Sequence, residues 1–148
     1  MESQRIRATR HNRLAGGVRV FLGILFLMTG AMKLVVPMLA EAWAGQLAAA
    51  DIPLEDLNRW AVPFVEMGVG VVLLLGYFAR IAALVVLGIM VVATYVHVVV
   101  ADPSLFPLQP SEPVIPAVVM VLAVYLLLRG AGAGSRDLKA SRHVRNDV

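Results

Sequence analysis

Apolar residues fall in four runs, near residues 15–36, 61–79, 81–101 and 113–129, separated by polar or proline-rich stretches. Runs of this length match the roughly 20 residues a helix needs to cross a bilayer core of about 30 Å. No strand-like alternation of polar and apolar positions occurs, and in lipid only helices and closed barrels satisfy their own backbone groups, so all four runs read as transmembrane helices. The third, Ile81 to Ala101, carries no formal charge; the first holds Lys33, the second holds Glu66, and the fourth is short, bounded by Glu112 and Arg129. The expected fold is an all-α membrane protein: a four-transmembrane-helix bundle over residues 15–130, between basic tails at 1–14 and 131–148.

The connections add detail. Leu39 to Ala50 is Ala-rich and polar enough to form a short interfacial helix in the first outer loop, broken by Asp51-Ile52-Pro53. Trp43 and Trp60 bracket that loop as interfacial anchors. Pro103, Pro107, Pro110 and Pro113 stiffen the third loop, which can cap the outer mouth of the bundle. Gly16, Gly23 and Gly30 recur every seven residues and read as a close-packing seam, and Gly130, Gly132 and Gly134 stop the last helix.

Charge orients the bundle. Eleven of the 13 Lys and Arg residues, including Arg5, Arg7, Arg10, Arg13, Arg19, Arg80 and Arg129, lie at the termini or in the second connection, leaving Lys33 and Arg59. Glu41, Asp51, Glu55, Asp56, Asp102 and Glu112 occupy the first and third loops. Both termini are therefore expected in the cytoplasm of a multi-pass protein of the cell (inner or plasma) membrane. A cleaved signal peptide ending near Ala42-Trp43-Ala44 is disfavoured, because the preceding apolar stretch is too long and contains Lys33.

Composition agrees: 59% of residues are hydrophobic and 16% charged, with a mean hydropathy of +0.80, against about 45–50% and 25% in soluble domains. The net charge of +3 sits in tails flanking apolar runs, which suits anionic lipid headgroups rather than nucleic acid. Cysteine is absent, so thiolate chemistry and Cys-ligated metal are outside the chain's reach. A bis-histidine haem is also not expected, since only His97 is buried while His11 and His143 fall in the tails. No metal site and no covalently bound cofactor is predicted.

The candidate chemistry is a trio. Lys33, Glu66 and His97 each fall about 6–8 Å inside the outer boundary at 1.5 Å per residue, so antiparallel topology brings them to one level. An ionisable group in the membrane marks a functional site by default. A Lys33–Glu66 ion pair with His97 as a neighbouring donor or acceptor is the simplest arrangement; a latch that only fixes helix register is the alternative. Helical spacing adds Thr94 on the face of His97 and Tyr77 on that of Glu66 as ligand-binding or proton-relay candidates. Arg80, on the opposite side, reads as a snorkelling anchor.

The segments Phe21-Leu22-Gly23-Ile24-Leu25-Phe26, Thr29-Gly30 with Lys33, Ile52-Pro53, Glu66-Met67-Gly68-Val69-Gly70, Gly76-Tyr77-Phe78-Ala79-Arg80, His97 and Gly132-Ala133-Gly134-Ser135-Arg136-Asp137 together resemble the DoxX family of small four-helix membrane proteins. Asp51 stands where that family has glycine before Ile-Pro. The resemblance implies importance for Lys33, Glu66, Arg80, His97 and Asp137, and a place as a non-redox-centre subunit of a quinone-linked, sulfur-oxidation or oxidative-stress complex.

Three functions follow as expectations. The first is a membrane subunit that binds a quinone or docks soluble redox proteins on the cytoplasmic face, with His97 or Lys33 donating protons and Glu66 exchanging them. The second is a proton-coupled small-solute transporter using Glu66 and Lys33. The third is a structural scaffold, homo-oligomeric or holding soluble partners by its basic tails.

Overall fold

The computed structural model of the chain describes residues 9–146; Arg5 and Arg7 lie outside them. Six α-helices follow one another: α1 (Arg13–Val35), α2 (Pro37–Ala49), α3 (Glu55–Leu75), α4 (Ala79–Val99), α5 (Val114–Arg129) and α6 (Arg136–Asn146), with a 3₁₀ turn at Pro103–Leu105. Helices α1, α3 and α4 are long and apolar enough to cross a membrane, whereas α5 has 16 residues, about 24 Å of rise. Its borders, Pro113 and Gly130, stop it short of a full span.

Helix α1 packs along α3, and α4 along α5. The long helices α1 and α3 run antiparallel, and α4 and α5 continue the alternation, so α2, residues 50–54 and residues 100–113 gather at one end, the loop end. The start of α1, Gly76, Phe78 and residues 130–138 meet at the other, the terminal end, where Ala133 N donates to Asn12 O and Asp137 N to Gly76 O. The axis is filled by Leu22, Phe26, Val69, Leu73, Val86, Val119, Ala123 and Leu126. Large apolar side chains such as Phe21, Met28, Phe64, Leu84, Val121 and Leu128 point outward, as a lipid-facing surface requires.

The glycines of α1 set how closely it approaches its neighbours. A Cβ on Gly16 would stand 2.8 Å from Ala133 O, one on Gly23 3.1 Å from Gly70 O, and one on Gly30 2.6 Å from Pro63 O. At Gly16 and Gly30 the nearest obstacle is a backbone oxygen, which cannot swing aside, whereas at Gly23 the Leu74 side chain stands closer still, at 2.9 Å. Gly30→Ala is therefore expected to cost about 1–3 kcal/mol, read as a fall in Tm in detergent. Gly68→Ala, where nothing lies within 4 Å, should instead be neutral or stabilising by up to about 1 kcal/mol.

Residues 131–148, read from sequence as a tail, are in part packed structure. Ala131, Gly132, Ser135, Asp137 and Leu138 are buried. The Asp137 carboxylate accepts hydrogen bonds from Phe78 N (3.1 Å) and Ala79 N (3.0 Å), the first free donors of α4. Phe78 sits at φ 47°, a left-handed conformation unfavourable for a side-chain-bearing residue, and the carboxylate holds it there. At the loop end, the side chain and then the backbone N–H of Ser104 donate to Asp102, keeping that exposed carboxyl below its ordinary pKa.

Candidate functional site

A mostly apolar cavity of about 490 Å³ lies at the loop end, walled by α1, α3, α4 and α5 and crossed by α2 and the 107–109 segment. Lys33, Glu66 and His97 all line it. Lys33 and Glu66 lie on neighbouring antiparallel helices that the Gly30–Pro63 contact draws together, and Lys33 Nζ meets Glu66 Oε1 at 2.5 Å. Glu66 is 2% exposed, and its Oε2 has no hydrogen-bond partner among the described residues. The pair is thus half satisfied in a low-dielectric setting, where an unmet acceptor is costly.

His97 is not bonded to the pair. Its Nδ1 lies 2.7 Å from the Ala93 carbonyl one turn earlier, and the ring packs on Phe106 with centroids 4.4 Å apart. A carbonyl only accepts, so Nδ1 carries the hydrogen. Nε2 is buried without a partner among the described residues. Of the donor and acceptor roles expected for His97, this contact favours the second, since a ring with its hydrogen on Nδ1 offers Nε2 as an acceptor.

Trp43 has a role that its position in a loop did not signal. Pro63, inside α3, has no N–H to give the carbonyl four residues back, and that carbonyl, Arg59 O, accepts from Trp43 Nε1 at 3.3 Å. The same indole lies under Lys33 Nζ, 4.7 Å from the ring centroid, a cation–π contact. Gln46, also missed, is buried on α2 and its amide donates to Leu105 O. That bond ties α2 to the proline-rich loop, where Phe106 is buried with Val96 and Val100.

The remaining candidates lie elsewhere. Thr94 does not line the cavity; its hydroxyl donates to Met90 O at 2.8 Å within α4. Tyr77 stands at the terminal end, 41% exposed and edge-on to Phe78. It lies beyond the end of α3, past the left-handed Gly76 that caps the helix, so the helical spacing that put it on the face of Glu66 does not extend to it. Trp60 is 62% exposed, and Arg80 is half-buried at the start of α4, its Nε without a hydrogen-bond partner among the described residues.

Comparison with protein-family models matches residues 15–99 to DoxX. The chain belongs to the DoxX family. The matched region of this DoxX-family protein runs from α1 to α4 and contains Lys33, Glu66, Arg80 and His97. The proline-rich loop, α5 and Asp137 lie beyond it, so one cavity wall, with Pro116 and Val119, falls outside the family match. Neither the search of curated proteins nor that of solved structures found a match.

Arg19 is the largest surprise. Counted from sequence as one of the flanking positive charges, it is 3% exposed inside the bundle. Its guanidinium donates to Leu73 O (2.5 Å), Leu74 O (2.8 Å), Ala131 O (3.0 Å) and Ala133 O (3.4 Å). It satisfies two carbonyls at the C-terminus of α3 and pins the chain after α5 to them. This second polar centre is structural in character, and the apolar axis separates it from the cavity.

Proposed function

We propose that this chain is a four-span subunit of the cell membrane that holds a lipid quinone in the cavity and serves a redox-associated complex. Both termini lie in the cytoplasm, because Arg10, Arg13, Arg80, Arg129, Arg136 and Lys139 belong to the terminal end, whereas Glu41, Asp51, Glu55, Asp56, Asp102 and Glu112 belong to the loop end. Helix α5 makes the fourth span, its short length compensated by local thinning, and α2 lies along the outer interface. Soluble redox partners dock on the basic terminal face.

One observation carries the reading: a largely apolar cavity of about 490 Å³ holding two buried polar atoms, Glu66 Oε2 and His97 Nε2, without partners among the described residues. Small-molecule sites have this make-up, with volumes of about 300–1,000 Å³ and a few placed polar groups. A bound quinone supplies two-electron, two-proton redox chemistry. Glu66 and His97 mark where the redox-active head would sit, Lys33 keeps Glu66 in place, and Leu25, Met90 and Val119 would cover the ring and keep water away. Between the cavity and Arg19 the axis is filled by Leu22, Phe26, Val69, Leu73 and Val86, which favours binding over passage of a solute.

Saturable binding of a short-chain quinone pool by the purified protein in mild detergent tests this. Ala93→Phe, which fills the cavity, is expected to weaken binding ten-fold or more, while Val121→Phe on the exposed face leaves it unchanged. Absence of saturable binding, or equal binding by both variants, removes the reading.

A further inference from the structure

The polar groups around the cavity are unequal. The side-chain donors each already give a hydrogen within the protein: Trp43 Nε1 to Arg59 O, Gln46 Nε2 to Leu105 O, Asn58 Nδ2 to Pro53 O, Thr29 Oγ1 to Phe26 O, and Lys33 Nζ to Glu66 Oε1, although the ammonium and the two amides keep further N–H groups. The buried atoms left open are of the other kind. Glu66 Oε2 is a carboxyl oxygen whose twin takes the Lys33 hydrogen bond. His97 Nε2 is the lone-pair nitrogen of a ring whose hydrogen is fixed on Nδ1 by the Ala93 carbonyl. A proton on Nε2 as well would bury an unpaired cationic N–H, which costs more than an open lone pair.

From this asymmetry we infer that the cavity selects a ligand whose head donates hydrogen bonds: an apolar amphiphile bearing two hydroxyl hydrogens. Resting on the quinone reading above, this assigns the site to the reduced quinol rather than the oxidised quinone. A quinone head offers two carbonyl oxygens, which bring no hydrogen to either open acceptor and could be served only by N–H groups such as the remaining ones of Lys33. A quinol of the same shape brings one O–H to Glu66 Oε2 and one to His97 Nε2. The bond to the carboxyl is the stronger, being charge-assisted. Sites built to bond a hydroxyl reject analogues lacking it far more strongly than apolar pockets sort by size. The same donor chemistry could come from an aliphatic diol lipid, such as a monoacylglycerol.

The test is anaerobic titration calorimetry on the wild-type protein in mild detergent with four probes: a one-isoprene benzoquinone, its reduced quinol, the dimethyl ether of that quinol, and a monoacylglycerol. The quinol is expected to bind at least ten-fold more tightly than either the quinone or the ether, which keep the ring but lack the hydroxyl hydrogens. Equal or tighter binding of the quinone or the ether overturns the inference and leaves the quinone reading standing. Tight binding of the monoacylglycerol alone upholds the donor inference and overturns the quinone reading. Binding of none of the four removes both. In Glu66→Gln, once a thermal melt shows it folded, the preference is expected to fall below three-fold, since the amide adds an N–H; an unchanged preference removes Glu66 from the assignment. If that variant does not fold, the wild-type comparison decides.

Discussion

Lys33→Met is expected to destabilise the protein by about 3–5 kcal/mol, because it leaves a carboxyl group that is 2% exposed without its partner. The converse change is milder. The Lys33 side chain keeps 21% of its surface exposed and has a long apolar stem, so in Glu66→Gln its amine can turn toward the headgroups or stay over Trp43. That variant should lose only about 1–2 kcal/mol. Thermal melts in detergent read both. The double variant Lys33→Met with Glu66→Leu removes both charges and is expected to recover most of the stability, since a buried ion pair is often no better than an apolar pair of similar volume. Stability and binding then separate. If the pair serves the cavity, the recovered double variant still fails to bind ligand; if it binds like wild type, the pair is only a latch between α1 and α3.

How much of this was legible in the sequence depends on the range of each contact. Helical class follows from uninterrupted apolar runs, a local property. The approach of Lys33 to Glu66 is legible too, because helical rise and antiparallel order fix depth without any knowledge of side chains. Periodicity holds only as far as the helix runs, however, and Gly76 ends α3 before Tyr77, which therefore leaves the face of Glu66 and stands at the other end of the bundle. Nor could spacing choose the acceptor role of His97: that rests on the Ala93 carbonyl, a partner in every helix, outcompeting a more distant carboxyl. Trp43 is a halfway case. Pro63 announces a carbonyl at Arg59 in need of a donor, and a tryptophan in the preceding helix is a fitting one, but the pairing needs the reversal at residues 50–54. There Asp51 and Leu54 take positive φ, in a turn with no glycine to mark it.

The second large effect concerns Arg19 and turns on the difference between two basic residues. Arg19→Ala is expected to cost about 3 kcal/mol or more, because four backbone carbonyls at the junction of α1, α3 and the chain after α5 lose a charged donor; a Tm fall of about 10 °C would correspond. Loosening should start locally, so amide exchange is expected to rise first over residues 131–138 and at Phe78 and Ala79, which depend on Asp137 being held in place. Arg19→Lys is the decisive comparison. As a topological signal, lysine is as good as arginine, and a residue acting only through its charge would tolerate the change fully. As a fork that reaches Leu73 and Leu74 with one nitrogen and Ala131 with another, arginine has no substitute in a point-like ammonium. Lysine is therefore expected to restore at most about half of the stability lost in alanine while leaving membrane orientation unchanged. Full recovery by lysine would return Arg19 to the count of flanking charges in which its sequence position first placed it.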